Sequence, residues 1–315
     1  MKLISVIVPC YNEEEVLGAT HEQLSRVLRA LGNYRYELIY VNDGSRDKTL
    51  PMLREIANGD PMVKVLSFSR NFGHQIAITA GLDYCNGDAA VVIDADLQDP
   101  PYLIPEMIKA WEQGSEVVYG KRRDREGETF FKLFTARLFY RFINRLSDVD
   151  IPLDTGDFRL MDRKALDAFL NMRERHRFVR GMVAWVGYKQ TALEYDREAR
   201  FAGTTKYPFR KMMRLATDAI MGFSNVPLRL ASFVGFITSF FAFLGILYAL
   251  YAKLFTDETV AGWTFLMIAI LFIGGITLVV LGIMGEYIGR IYSEIKQRPL
   301  YLIQEQIGFS AEMKD

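Results

Sequence analysis

The sequence is poor in the residues that build several common kinds of site. Its 315 residues include only two cysteines, Cys10 and Cys85, and three histidines. A disulfide scaffold or a Cys/His zinc cluster is thereby excluded, and two reduced, half-buried thiols are expected. No HExxH or GxSxG segment occurs, so zincin and α/β-hydrolase chemistry have no foothold. No GxGxxG follows the first apolar run, which leaves a dinucleotide-binding turn unsupported. The stretch from Gly114 to Gly120-Lys121 has one residue too many for a phosphate loop, with Arg122 where Ser or Thr should stand. Charge of one sign is also lacking: 38 Lys and Arg balance 38 Asp and Glu, without the basic excess of a nucleic-acid binder. His21 and His176 read as solvated helix residues. His74, in the loop after Asn71, is a candidate ligand contact.

What is present is unevenly spread. Half of the residues are hydrophobic and 13% aromatic, ample for a packed core. Residues 230–252 and 259–285 carry no charge at all. Each run exceeds the roughly 20 residues that a helix needs to cross a bilayer core. A buried helix pair in a soluble protein is the alternative, but globular helices rarely stay charge-free for so long. Arg210, Lys211, Arg214 and Arg229 precede the first run, and Arg290, Lys296 and Arg298 follow the second. The bias of positive charge predicts both ends in the cytoplasm and the link 253–258 outside. Met1-Lys2 leads straight into a short apolar run that is no signal sequence, so the chain is expected to start in the cytosol.

Ahead of these runs, strand and helix signals alternate. Residues 3–8, 36–41, 63–68, 89–93 and 116–120 read as strands. Residues 13–31, 50–57, 75–84 and 101–113 read as helices. This order predicts an α/β fold, a mostly parallel sheet with helices on both faces. Ligands of such sheets bind beyond the carboxyl ends of the strands. The polar residues stand there: Pro9-Cys10-Tyr11-Asn12-Glu13, Asn42-Asp43-Gly44-Ser45, Ser69-Arg70-Asn71 and Asp94-Ala95-Asp96. Alternate residues of an extended segment point the same way, so Asp94 and Asp96 can share a face. Two such carboxylates repel unless a cation sits between them or one takes a proton. Hard oxygen ligands suit Mg²⁺ or Mn²⁺ held together with substrate phosphates.

Pro9-Cys10-Tyr11-Asn12-Glu13-Glu14, Asn42-Asp43-Gly44-Ser45, Asn71-Phe72-Gly73 and Asp94-Ala95-Asp96-Leu97-Gln98-Asp99-Pro100-Pro101 together resemble the motifs of family 2 glycosyltransferases, which have the GT-A fold. Within that family the chain is similar to polyprenyl-phosphate glycosyltransferases, the group of dolichol-phosphate mannose synthase. The two apolar runs, with Gly156-Asp157-Phe158-Arg159-Leu160 ahead of them, resemble the bacterial bactoprenol (undecaprenyl-phosphate) glucosyltransferases. The resemblance spans nearly the whole chain. It implies a cytoplasmic GT-A domain over 1–206, a juxtamembrane amphipathic helix over 207–228, a transmembrane hairpin over 229–289 and a cytoplasmic, helical tail over 290–315, in a bacterial inner membrane.

The resemblance also implies roles. Pro9, Tyr11, Asn12 and Glu13 would line the base and ribose pocket with Ser45 and Asn71, and Asp43 would accept a hydrogen bond from the base. Asp94, Ala95 and Asp96 would meet ribose, diphosphate and a divalent cation, Mg²⁺ or Mn²⁺, with Gln98 a further metal-side ligand. Asn42 departs from the family's Asp-Asp-Gly-Ser form, while Asp43 keeps the carboxylate. Asp157 stands where the family has its catalytic carboxylate, and on sequence alone it also fits an ordinary turn after Gly156. Arg159 would offset charge between that carboxylate and the acceptor phosphate. Arg200 and Lys206, in a loop like the family's Arg-x-x-Gly-x-Ser/Thr-Lys, would hold diphosphate oxygens.

Residues 130–146 alternate aromatics with cations as a helix lying in the headgroup plane would. Arg122, Arg123, Arg137 and Arg141 are candidates for drawing in an acceptor phosphate. Gly285 and Gly289 allow close helix approach and a homo-oligomer. The expected reaction is inverting transfer of a hexose from a UDP-sugar, glucose foremost, to undecaprenyl phosphate. A separate flippase and a downstream glycosyltransferase would handle the product. Another sugar (N-acetylglucosamine, an aminoarabinose derivative or mannose), a processive polysaccharide synthase, and a non-catalytic scaffold are the alternatives. Residues 178–185 do not match the synthases' Gln-x-x-Arg-Trp segment.

Overall fold

The computed structural model describes residues 1–123, 155–196, 226–255 and 262–309. The chain divides into two compact units: one holds the sheet and takes in residues 298–309, and the other holds the two long apolar helices. The interfacial segment 130–146, with Arg137 and Arg141, lies outside the described residues, as do Arg200, Lys206 and the juxtamembrane segment up to residue 225.

Strands β1 (Leu3–Cys10), β2 (Arg35–Asn42), β3 (Val63–Phe68), β4 (Ala89–Val92), β5 (Val117–Arg122), β6 (Thr155–Asp162), β7 (Gln190–Tyr195) and β8 (Ile303–Ile307) form one sheet in the order β7-β5-β6-β4-β1-β2-β3-β8. β1 runs parallel to β2 and β4, and β2 parallel to β3. β6 runs antiparallel to both β4 and β5. Residues 4–10 of β1 and 37–42 of β2 are buried throughout, as parallel strands covered on both faces must be.

Helices α1 (Leu17–Arg29), α2 (Thr49–Gly59), α3 (His74–Asp83) and α4 (Ile104–Glu112) return the chain between these strands. Leu17, Leu24 and Leu28 of α1 and Ile104 and Met107 of α4 join Ile4, Val6, Val8 and Val91 in one core. On α3, Gly81 admits a close approach: a Cβ there would lie 2.3 Å from Cγ2 of Ile7. Helices α5 (Arg163–Leu170) and α6 (Val179–Trp185) follow β6. The Asp162 side chain caps α5 by accepting from the Lys164 amide at 2.8 Å. The sheet matches the expected α/β class, and its central strands fall within a residue or two of the predicted ones.

Several readings are corrected. Asp157 does not sit in a turn: it lies inside β6 and is 4% exposed. Residues 303–307 are not helical; they add an antiparallel strand to β3, because alternate residues Ile303, Glu305 and Ile307 are half-buried on the sheet edge. His21 is half-buried, its Nδ1 3.2 Å from the Tyr40 hydroxyl. His176 lies in a loop ahead of α6 and is also half-buried. Cys10 and Cys85 are free thiols, buried rather than half-buried.

The second unit contains α7 (Val226–Phe255) and α8 (Trp263–Ile295). Both are long and apolar enough to cross a membrane, with mean hydropathy 2.2 over Val226–Tyr248 and 2.6 over Ile268–Ile295. Phe236, Phe241, Leu271, Leu278 and many neighbours are exposed, a surface that water does not tolerate on this scale. α8 runs past Gly289, where an Arg290–Glu286 pair at 3.1 Å marks its polar end.

Candidate active site

Strand β1 lies between β2 and β4, so the chain leaves its two sides in opposite directions and a crevice opens beyond the carboxyl ends of all three. The loops after these strands carry the predicted residues. After β1, the Asn12 amide donates to Ser45 Oγ (3.0 Å), and the Asn12 side-chain oxygen accepts from the Arg46 amide (2.8 Å). The Glu13 amide donates to Thr49 Oγ1 (2.8 Å). Asn12 and Glu13 are thus tied to the loop of Ser45, while Pro9 and Tyr11 stand beside them at the end of β1, and Asn12 takes the left-handed conformation (φ 54°) that Asn tolerates.

Asp43 is 2% exposed and is bound on both oxygens. Oδ1 accepts from the Phe72 amide (2.6 Å) and the Gly73 amide (3.2 Å); Oδ2 accepts from Asn71 Nδ2 (2.8 Å) and again from Gly73 (3.0 Å). The carboxylate therefore pins the loop 71–73, a contact the sequence did not indicate, where the resemblance implied only a bond from the base. Burial outweighs these bonds and pushes its pKa from 3.8 up to about 6. Gly44 next to it has φ +64°, and a Cβ there would meet the Arg70 carbonyl carbon at 2.4 Å and the Asn71 nitrogen at 2.6 Å. Gly44→Ala is expected to cost about 1–3 kcal/mol, measured as a fall in Tm. Gly32→Ala, with nothing within 4 Å, is the neutral control.

Asp94 and Asp96 follow β4. Leu97 between them and Gln98 holds φ 57°, rare for a branched residue, and the Gln98 amide donates to Asp96 Oδ1 at 3.2 Å. Asp99 is 1% exposed; its Oδ1 takes the Tyr195 hydroxyl and stands 3.6 Å from the Arg122 guanidinium. Arg122 also donates to the Tyr195 hydroxyl (3.3 Å). This triad fixes the far side of the Asp94–Gln98 loop. It also commits Arg122 to Asp99, while Arg123 is exposed beside Glu194 at 3.5 Å.

The strongest clustering surrounds Asp157. Arg180 Nε of α6 donates to its Oδ1 at 2.9 Å, and Gln75 Nε2 and His74 Nε2 of α3 lie 3.1 and 3.2 Å from its Oδ2. Gln75 is itself held by the Val179 amide (2.8 Å). His74 Nε2 is also 3.5 Å from Asp94 Oδ1, so one imidazole joins the two carboxylates. Burial alone would lower the His74 pKa; the charges of Asp94 and Asp157 overcome it and raise it to about 9. Burial would raise Asp157, but the Arg180 charge and the His74 bond hold it well below the usual carboxylate range. Asp94 is pushed up to about 6 by burial, against the pull of His74. Among the described residues Asp94 Oδ1 is buried and lacks a hydrogen-bond partner. Arg159 sits two residues along β6, 4% exposed, with Nη2 donating to the Gly156 carbonyl at 3.0 Å.

Residues 5–170 match the glycosyl transferase family 2 model. The chain belongs to that family. It is 55% identical over 304 residues to the uncharacterized glycosyltransferase YkcC of Bacillus subtilis, covering 96% of this chain and 94% of that one. It is 40% identical over 301 residues to the prophage bactoprenol glucosyl transferase homolog of Escherichia coli, covering 96% and 98%. The bactoprenol glucosyl transferase of Shigella phage SfV is likewise 40% identical over 303 residues. The protein is a glycosyltransferase with a GT-A-like domain.

Of the transferase's expected site residues, the described ones collect around the crevice of β1, β2, β4 and β6. The sequence missed Gln75, Arg180 and Tyr195, and saw His74 only as a loop contact. Gln75 and His74 were legible as the start of a helix after Gly73. Arg180 sits in a segment read only for its mismatch to the synthases, and no local pattern ties it to a residue 23 positions earlier.

Proposed function

We propose that this transferase moves a hexose, with UDP-glucose the foremost donor, to undecaprenyl or a similar polyprenyl phosphate on the cytoplasmic membrane face, with inversion. The observation that carries the reading is the His74 imidazole joining Asp94, on the donor side, to Asp157, on the strand next to it. The named bactoprenol transferases support the acceptor. The exposed apolar helices α7 and α8 support a membrane setting. The β8–β3 pairing supports a hairpin, since a tail in the sheet requires an even number of crossings.

An oxygen of the acceptor phosphate forms the new bond to the anomeric carbon as the bond to UDP breaks, and the electron pair leaves on the diphosphate. A phosphate monoester is largely dianionic near pH 7, so no proton need be removed first. Asp157, held ionised by Arg180 and His74, suits orientation of sugar or acceptor better than general-base work, which needs a pKa near 7. Arg159, two residues along β6, offsets part of its charge. Asp94 and Asp96, with Gln98 near, fit a divalent cation: Asp94 Oδ1 is buried, has no hydrogen bond among the described residues and meets only the His74 imidazole at 3.5 Å, and such an ion would satisfy it. When bound, Mg²⁺ or Mn²⁺ would neutralise charge on the departing diphosphate.

The test is transfer from a panel of labelled UDP- and GDP-sugars to undecaprenyl phosphate by the purified full chain. Product from UDP-glucose alone is expected. Product from another donor replaces the sugar, and none from any donor, in folded protein, overturns the reading. UDP affinity is expected to fall as pH drops through about 6, because protonated Asp43 loses its grip on the Phe72 and Gly73 amides. The contribution of Asp43 to stability has the opposite sign: its raised pKa gives stability below 3.8 that is lost as pH rises to about 6. Titrations of UDP between pH 5 and 8 check this, with Asp43→Asn expected to flatten the profile.

A further inference from the structure

The C-terminal segment does more than close the sheet edge. Residues 296–300 lead from the end of α8 directly to Tyr301, and β8 then pairs with β3. β3 is the strand whose end carries the loop 69–73 that Asp43 binds. Where β3 ends, the Ser69 amide donates to the Leu302 carbonyl at 3.0 Å. The Tyr301 ring stacks on Phe68, with centroids 5.2 Å apart and planes 18° from parallel. Phe68 meets Phe72 edge-on at 5.5 Å, and it is the Phe72 amide that reaches Asp43.

The other end of the same tyrosine grips α3. Its hydroxyl donates to Asp83 Oδ2 at 2.7 Å, and Asp83 is the last residue of the helix whose first turn brings His74 and Gln75 to Asp157. Asp83 also receives Arg173 Nη1 at 2.6 Å, and the Arg175 guanidinium donates to the Arg298 carbonyl. Arg173 and Arg175 belong to the segment that leads into α6 and Arg180. The tail therefore touches the supports of the base-side loop through the ring, and the supports of Asp157 through the hydroxyl.

We propose that Tyr301 is a positioning residue for the donor site, through which the segment 298–309 sets the loop 69–73 and helix α3. The proposal rests on the transferase reading and deepens it: completion of the donor pocket depends on a segment that arrives from the second apolar helix. An edge strand added only for stability would need the pairing and the bidentate Arg54–Glu305 contact (3.1 and 2.6 Å), and no link to Phe72 or Asp83.

The experiment uses the full chain in detergent with UDP and Mn²⁺, measured by calorimetry, beside steady-state transfer and thermal melting. Tyr301→Ala is expected to raise the UDP Kd and the donor KM together by about tenfold. Tyr301→Phe, which keeps the stacked ring and loses only the bond to Asp83, is expected to restore the UDP Kd and donor KM to within about twofold while kcat stays lowered through α3. Arg54→Ala loosens the strand from its outer side; it is expected to lower Tm and leave UDP affinity unchanged. If Tyr301→Ala fails to fold, Tyr301→Leu keeps the apolar bulk without the stacking and carries the same expectation. Unchanged Kd and KM in the Ala or Leu variant, with wild type binding UDP, overturn the positioning role alone. An equal loss of affinity in Arg54→Ala at the same loss of Tm overturns it too. Wild type that neither binds UDP nor transfers sugar overturns the transferase reading on which it rests.

Discussion

Replacing Asp157 with asparagine is expected to lower the transfer rate by about 10³-fold, within the range that positioned acid–base and electrostatic groups supply. The amide is nearly isosteric with the carboxylate, so packing in β6 survives. Charge and donor pattern do not. Arg180, Gln75 and His74 all present N–H groups to the Asp157 oxygens, and an amide would turn an N–H back on one of them. Two cationic groups would be left beside a neutral group in a buried site. Breaking such a pair costs about 3–5 kcal/mol of stability, so Tm must be followed with activity. In wild type the low pKa of Asp157 contributes stability above the ordinary carboxylate value, lost as pH falls below it; Asp157→Asn removes that dependence. In the proposed arrangement the donor is held by other loops, so UDP affinity is expected to change little. A rate loss under tenfold in folded protein would take Asp157 out of the transfer step, and a fall in Tm without it would leave Asp157 a structural residue. His74→Gln keeps one donor to Asp157 and removes the positive charge, and a smaller loss, about tenfold, is expected of it.

The central fold was legible because its strands are continuous apolar runs. Residues 3–8, 36–41 and 63–68 could be little else, and each ends in a polar cluster whose place follows from parallel topology. Asp94-Ala95-Asp96 was legible for the same reason. Asp157 was harder to place in structure: Gly156 beside it reads as a turn, yet the backbone continues as a strand because β6 is paired on both sides, to β4 and to β5. The partners of Asp157 were not legible at all. Arg180 comes from a helix 23 residues on and Gln75 from one 82 residues back, and no local spacing encodes either contact. The tail was misread because 303–307 is charged and short; its alternation of two isoleucines with polar residues is the pattern of an edge strand, visible only once β3 offers an edge. Cys10 shows the converse, since its place at the buried end of β1 explains its depth without any chemistry.

Removal of divalent metal is expected to abolish transfer, and Asp94→Asn or Asp96→Ala to lower it by about 10³-fold. Asp94, Asp96, Asp99 and Asp157 stand on the loop after β4 and on the adjacent strand β6. Two are neutralised by the protein itself, Asp99 by Arg122 with Tyr195, and Asp157 by Arg180 with His74. Asp94 has only a shared imidazole at 3.5 Å, and its buried Oδ1 has no hydrogen bond among the described residues. Diphosphate would add further negative charge at the same place. A divalent ion would offset the charge of Asp94 together with that of the diphosphate, and Asp94 and Asp96 are its proposed holders. EDTA should therefore stop transfer, with recovery on adding excess Mg²⁺ or Mn²⁺. Binding of Mn²⁺ in the presence of UDP, followed by electron paramagnetic resonance, gives a readout independent of turnover: the free-ion signal should fall with wild type and persist with Asp94→Asn and Asp96→Ala. Arg122→Ala makes the contrast, since it unpairs Asp99 and disturbs the loop from behind; its Mn²⁺ affinity should weaken less than that of either aspartate variant. Transfer that survives EDTA, with Mn²⁺ binding indifferent to both aspartates, would mean that His74 alone offsets the charge of Asp94 and that the diphosphate relies on side chains for its support.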